Sequence, residues 1–155
     1  GMQIAVIEYA RNVLGMRDAN YGEFDELCRH KVIDFMPGQS DVIDKGGTLR
    51  LGAYPCSIKA GTTMARCYGA ADIRERHRHR YEFNNAYREA FEGAGLTVSG
   101  TSPDGRLVET VELGEHPFYV GVQYHPEFKS RPNRPHPLFK GFIGAAFEKA
   151  MGGRI

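Results

Sequence analysis

Apolar positions recur along this chain with two different periods, which together predict a mixture of helices and strands. Spacings near 3.6 residues predict helices over 3–16, 62–67, 85–92 and 138–151. Alternating or continuous runs rich in β-branched and aromatic residues predict strands over 49–59, 74–83, 96–100, 107–112 and 118–123. The turn-forming spacer over 102–106 predicts a hairpin between the third and fourth strands. We therefore expect an α/β domain with a mixed sheet flanked by helices.

Length, composition and charge place the chain among ordinary globular domains. It has 155 residues, 41% hydrophobic and 25% charged, which suits one domain with a real core. A net charge of +1 gives no field that would favour nucleic acid or acidic lipid, and no apolar run approaches 18 residues. We therefore expect no nucleic-acid partner, no membrane span and no signal peptide. Cys28, Cys56 and Cys67 lack metal-ligand spacing, so we expect reduced thiols, a cytoplasmic protein and no metal in this domain.

The stretch GVQYHPEFKS places a histidine and a glutamate at the end of the last predicted strand. His125 and Glu127 lie two residues apart, so an extended backbone would direct both side chains to one side, about 7 Å apart. Glu127 can then accept a hydrogen bond from the imidazole, which gives a base with its orienting carboxylate. The alternative is an ordinary exposed pair at a strand end.

The stretch RERHRHRYEFNN separates two kinds of side chain. In a strand, four arginines share one face (Arg74, Arg76, Arg78 and Arg80), and Glu75, His77 and His79 share the other. Four hypotheses follow: a nucleic-acid stripe, a weak metal pair, a charged edge strand, or a guanidinium clamp for a small carboxylate. The near-neutral net charge argues against the first. Upstream, GGTLRLG lacks the Lys-Ser/Thr of a phosphate-binding loop and predicts a glycine hinge before a strand.

Together these stretches resemble one family. GVQYHPEF is similar to the His/Glu motif of class I glutamine amidotransferase domains. GGTLRLGAYPC, ERHRHRYEFNN and HPEFKSRPNRPHPLFKGF narrow the resemblance to the CTP synthase family, from Gly1 to about Met151. The resemblance implies an α/β amidotransferase fold in which residues 1–155 form part of the domain, with its first strands upstream of Gly1.

The same resemblance implies the site residues. The family's nucleophilic cysteine lies in a turn of the form Gly-Ile-Cys-Leu-Gly-Met-Gln, and Gly1-Met2-Gln3 matches its last three residues. We therefore expect the nucleophile two residues before Gly1 and an inactive isolated chain. The resemblance further implies that His125 and Glu127 are the catalytic pair and that Arg50, within the loop 46–52, belongs to a lid. It also implies a glutamine pocket lined by Gly1, Met2, Gln3, Glu23 and Arg80.

The implied reaction belongs to a larger enzyme. Family members hydrolyse L-glutamine and pass ammonia to a synthetase domain that binds ATP and Mg²⁺ and converts UTP to CTP. GTP is the allosteric activator, the full-length protein is expected to be a homotetramer, and the glutaminase domain itself uses no cofactor. Two alternatives are a non-catalytic regulatory or interaction module of the same fold and a γ-glutamyl hydrolase type of enzyme. RHRYEFNN and the proline-rich segment after HPEF disfavour the second.

Overall fold

The computed structural model describes residues 1–22, 24–25, 27–35 and 50–152. These contain four helices and eight strands, with short 3-10 turns at Asn85–Tyr87 and Pro126–Phe128. The helices are α1 (Met2–Asn12), α2 (Thr63–Tyr68), α3 (Arg88–Gly93) and α4 (Pro137–Met151). The strands are β1 (Asn20–Tyr21), β2 (Lys31–Asp34), β3 (Arg50–Ile58), β4 (Asp72–His79), β5 (Glu82–Phe83), β6 (Thr97–Thr101), β7 (Val108–Glu112) and β8 (Val120–Val122).

Two sheets organise these strands. Five strands form an antiparallel sheet in the order β4-β3-β6-β7-β8, and β6 and β7 form the predicted hairpin. The second sheet has the order β1-β2-β5, in which β1 and β2 are parallel and β2 and β5 antiparallel. The predicted α/β fold with mixed pairing is confirmed. The parallel contribution comes from the small sheet, because every pairing in the larger one is antiparallel.

The prediction of one continuous strand over 74–83 is wrong. β4 ends at His79, the chain bends at Arg80 and Tyr81, and β5 then pairs with β2 of the other sheet. The bend is held from outside the segment, because the Tyr81 carbonyl accepts hydrogen bonds from the side-chain amides of Gln3 (3.1 Å) and Gln123 (2.8 Å). These partners are distant in sequence, so no local pattern indicates the bend.

Helix α1 covers the main core and ends earlier than predicted. Its buried side chains, including Met2, Val6 and Ala10, join one apolar cluster with residues from both sheets and from α3. The helix begins very close to β8, since a Cβ atom added to Gly121 would lie 3.3 Å from the Met2 Cα atom. At its other end the chain turns at Gly15, whose φ of 71° suits glycine.

A second apolar cluster secures the short helix α2 against α4. It contains Ile58, Met64, Tyr124 and Leu138. Thr62 caps α2 by accepting a hydrogen bond from the Ala65 N–H, and the helix lies close to the predicted range 62–67. The buried Glu112 carboxylate accepts two more, from the backbone N–H groups of Thr63 and Met64. Within the described ranges, no helix has the length and apolar character needed to cross a membrane.

Candidate active site

The histidine and glutamate of the GVQYHPEF stretch form the predicted pair. The backbone N–H of His125 donates to the Arg76 carbonyl at 2.9 Å, which holds the residue against β4. Pro126 then begins a 3-10 turn. Across this turn, His125 Nδ1 lies 2.7 Å from Glu127 Oε1. Because the carboxylate contacts Nδ1, the nitrogen left to face a substrate is Nε2.

The electrostatic surroundings keep Glu127 ionised. Its side chain is 56% exposed. Partial burial tends to raise the pKa of the carboxyl, but hydrogen bonds from its own backbone N–H and from His125, together with the nearby Arg78 charge, lower that pKa overall. An ionised Glu127 favours the Nδ1–H tautomer of His125 and stabilises the imidazolium that forms when Nε2 takes a proton.

The pair lies on the wall of a cavity of about 1050 Å³. Its walls come from the start of α1, the bend after β4, the end of β8 and the first turns of α4. The cavity brings together six of the residues assigned through the family resemblance: Gly1, Met2, Gln3, Arg80, His125 and Glu127. The cavity wall also includes polar residues that were not assigned to a pocket, among them Arg78, Tyr81 and Gln123.

The assigned pocket residues differ in exposure and in whether their polar groups already contact other protein groups. Arg80 is exposed, and its guanidinium forms no ion pair with any described residue. Gln3 is partly committed, since its amide nitrogen donates to the Tyr81 carbonyl. Met2 is 1% exposed and contributes its backbone and position rather than a polar group. Glu23, the assigned partner for a substrate ammonium, lies outside the described residues.

Arg50, the lid candidate that the resemblance implies, has a largely buried side chain. It is the first residue of β3, and its side chain is 14% exposed. Its guanidinium contacts Glu109 at 2.7 Å and Glu82 at 3.3 Å, and it does not belong to the cavity wall. Lid positions 46–49 lie outside the described residues, so the lid role of Arg50 stays a prediction.

The face of β4 opposite the arginines is buried. His77 Nδ1 lies 2.8 Å from His79 Nε2, and His79 Nδ1 lies 3.1 Å from the Tyr81 carbonyl. A carbonyl can only accept, so neutral His79 donates from Nδ1 and accepts from His77, which leaves His77 Nε2 without a proton. Burial, aided by the charge of Arg50, lowers the pKa of His77 to about 3 and that of His79 to about 4.

This arrangement agrees with two of the hypotheses for the RERHRHRYEFNN stretch, the charged edge strand and the carboxylate clamp. β4 is an edge strand of the larger sheet, with its arginine face exposed, as the charged-edge hypothesis predicts. The two histidines bond to each other, and the described ranges contain no group of three or more His, Cys, Asp or Glu residues suited to a metal ion. The cavity wall includes Arg78 and Arg80 from the end of the arginine face. That position agrees with the carboxylate-clamp hypothesis.

The three thiols are poor nucleophiles in this environment. Burial raises the pKa of Cys56 to about 12, and burial also raises the pKa values of Cys28 and Cys67. None of the three belongs to the cavity wall formed by the described residues. The nucleophile that His125 would serve is therefore not one of these thiols.

Comparison with known proteins places this geometry in a family. The family model for glutamine amidotransferase class-I matches residues 1–145, and the chain belongs to that family.

Among individual proteins, the chain is 65% identical to the CTP synthase of Rubrobacter xylanophilus over 156 residues and 58% identical to that of Staphylococcus aureus strain Newman over 148. It covers 28% of each of these relatives. A solved structure of the Trypanosoma brucei CTPS glutaminase domain, with bound acivicin, superimposes with a TM-score of 0.88 at 41% identity and covers 96% of this chain and 58% of that one. The predicted resemblance to CTP synthases is confirmed.

Proposed function

We propose that this chain supplies the base and most of the substrate pocket for glutamine hydrolysis in a CTP synthase. One observation carries the proposal. The 2.7 Å contact between His125 and Glu127 lies on the wall of a cavity that Arg80 also lines, and Arg80 forms no ion pair with any residue that the structure describes. A general base, its orienting carboxylate and a carboxylate-binding cation thus face one space large enough for an amino acid. The T. brucei relative binds acivicin, a glutamine analogue, which supports glutamine as the ligand.

The proposed chemistry uses a cysteine thiolate that attacks the side-chain amide carbon of glutamine. We assign this thiol to the cysteine expected two residues before Gly1. His125 Nε2 takes the thiol proton and returns it to the leaving nitrogen, so ammonia departs as the glutamyl thioester forms. Water then attacks the thioester, with His125 again moving the proton, and glutamate leaves as the thiolate is regenerated. Glu127 holds the imidazole orientation through both steps.

The pocket residues are assigned by matching their charge to a free amino acid. Arg80 would hold the substrate carboxylate through two parallel N–H···O contacts. Glu23 would accept from the substrate ammonium. Gly1, Met2 and Gln3 would line the space next to the nucleophile. Tyr81 and Gln123 also line the same wall.

The chain covers 28% of the CTP synthase of Rubrobacter xylanophilus, and we assign the remainder of the reaction to the rest of such a protein. We propose that ammonia passes to a synthetase domain that activates UTP with ATP and Mg²⁺, that GTP activates glutamine hydrolysis, and that the full-length protein is a cytoplasmic homotetramer. These assignments rest on the similarity to CTP synthases.

The test compares nitrogen donors in the full-length protein. CTP formation from UTP and ATP is measured with glutamine or with ammonium chloride, and glutamate release is followed in parallel. We expect CTP with both donors, and His125→Ala should abolish the glutamine-dependent product while ammonia-dependent CTP persists. CTP from ammonia alone in the wild type would indicate a non-catalytic module. Hydrolysis of γ-glutamyl substrates without any CTP would indicate a hydrolase.

A second experiment tests the 155-residue chain by itself for glutamine hydrolysis. Its three thiols have raised pKa values and lie away from the cavity, so we expect no ammonia release from glutamine above a His125→Ala control. Measurable His125-dependent turnover by this chain would contradict the assignment of the nucleophile.

A further inference from the structure

A buried carboxylate lies directly behind the cavity wall. Glu82 is 4% exposed and does not itself line the cavity. Its Oε1 atom accepts a hydrogen bond from Arg50 at 3.3 Å, and its Oε2 atom accepts one from the side-chain amide of Gln123, also at 3.3 Å. His79 Nδ1 lies 3.5 Å from Oε1.

These contacts connect the segments that carry the site. Gln123 precedes His125 by two residues, and the same amide nitrogen that donates to Glu82 also donates to the Tyr81 carbonyl. That carbonyl accepts from Gln3 as well and follows Arg80 directly in the chain. The bend that presents Arg80 and the turn that presents His125 are therefore joined through one amide whose orientation depends on Glu82.

We propose that Glu82 is a positioning residue whose negative charge holds the glutamine pocket in its binding geometry, and that protonation of Glu82 weakens glutamine binding. The inference rests on the proposed glutaminase function and adds pH sensitivity to the same site.

The charges around Glu82 make its protonation state responsive near neutral pH. Arg50 faces it from β3, Glu109 from β7, and His79 from the end of β4. One guanidinium thus serves two buried carboxylates. Burial raises the pKa of Glu82 to about 7, Arg50 opposes this rise, and Glu109 adds to it. His79 stays neutral in this range, because burial lowers its pKa to about 4.

The direction of the effect follows from these charges. Above pH 7, Glu82 is ionised and accepts from both Arg50 and Gln123. Below pH 7, a protonated Glu82 loses its charge attraction to Arg50 and becomes a weaker acceptor for Gln123. The Gln123 amide is then less firmly oriented toward the Tyr81 carbonyl. We therefore expect the KM for glutamine to rise as the pH falls through 7.

The test uses Glu82→Gln in the full-length protein, with glutamine and ammonia as alternative nitrogen donors. The substitution keeps the size and removes the charge. We expect the KM for glutamine at pH 8 to rise about tenfold, as for a lost hydrogen bond to a charged group, with kcat changed much less. In the wild type, KM should rise as pH falls from 8 to 6, and in Glu82→Gln this pH dependence should disappear.

Glu112→Gln is the matched control, since Glu112 is a buried carboxylate that holds α2 and does not line the cavity. It should lower stability without shifting the KM for glutamine. Urea unfolding of each variant reports whether the substituted domain is folded, and the wild-type pH series needs no variant at all. A wild-type KM that is constant from pH 6 to 8, or equal KM values in Glu82→Gln and the wild type, overturns the inference alone. No glutamine-dependent product in the wild type overturns the proposed function and this inference with it.

Discussion

Replacing Arg50 by methionine should remove the cation that makes two buried carboxylates tolerable. Glu109 has a side-chain exposure of 0%, Glu82 of 5%, and both contact the Arg50 guanidinium. Methionine keeps most of the aliphatic packing of the arginine stem, so the loss is chiefly electrostatic. Breaking a buried ion pair by removing one partner costs about 3–5 kcal/mol in the free energy of unfolding, and we expect that range for Arg50→Met at pH 8.

The loss in the free energy of unfolding caused by Arg50→Met should depend strongly on pH. Burial raises the pKa of both carboxyls in the folded wild type, and Arg50 opposes the rise, so its removal raises them further. A carboxyl with a raised folded-state pKa stabilises the folded state less as pH increases from its unfolded value toward the folded one. Each carboxyl kept protonated in the folded variant adds about 1.4 kcal/mol of destabilisation per pH unit. Arg50→Met should therefore approach wild-type stability near pH 5.

Urea unfolding at pH 5, 6.5 and 8 measures this dependence. Arg88→Met is the matched control, because Arg88 contacts Glu92 in an exposed i,i+4 pair at 3.5 Å that is worth about 0.3–0.5 kcal/mol. The control should show a small loss at every pH. A destabilisation by Arg50→Met that is the same at pH 5 and pH 8 would refute the argument that uncompensated buried carboxylates cause it.

Three further predictions test the site. Arg80→Ala in the full-length protein should lower kcat/KM for glutamine by about 30- to 150-fold while ammonia-dependent CTP formation persists. Arg74→Ala, the control, removes an arginine of the same face that is not in the cavity wall, and it should leave kcat/KM for glutamine unchanged. An equal loss with both donors would assign Arg80 to the fold. Glu127→Gln should lower kcat for glutamine at least about 100-fold with little change in KM, because the imidazole loses its orienting charge. The Cys56 thiol, 1% exposed with a pKa of about 12, should resist alkylation at pH 8 until urea unfolds the chain; fast labelling of the native protein would contradict its burial.

What the sequence predicts well is local. The hairpin, the alternating faces of β4 and the Thr-capped helix α2 all follow from residues within one element or turn. The predicted contact between His125 and Glu127 is also present, although a 3-10 turn that begins at Pro126 carries it and not the extended backbone expected. In such cases periodicity and turn chemistry determine the answer.

What the sequence does not predict depends on distant partners. Arg50 and Glu109 are separated by 59 positions, and the amide of Gln3 reaches the Tyr81 carbonyl across 78. A period-2 pattern continues through Arg80 and Tyr81 even though the strand ends there. The pocket assignments of Gln3 and Arg80 and the lid assignment of Arg50 came instead from the family resemblance.

The bend after β4 explains how Arg80 lines the cavity while Glu82, two residues later, lies buried behind the cavity wall. In an unbroken strand, Arg80 and Glu82 would share the exposed face of Arg74, Arg76 and Arg78. Instead Glu82 is buried behind the wall while Arg80 stays exposed in the cavity. The bend therefore ends the alternation, since Tyr81, Glu82 and Phe83 are all buried, and an arginine that lines the cavity lies two residues from a carboxylate buried behind it. Because the bend is held by the amides that bind the Tyr81 carbonyl, weakening those contacts should affect Arg80 and His125 together.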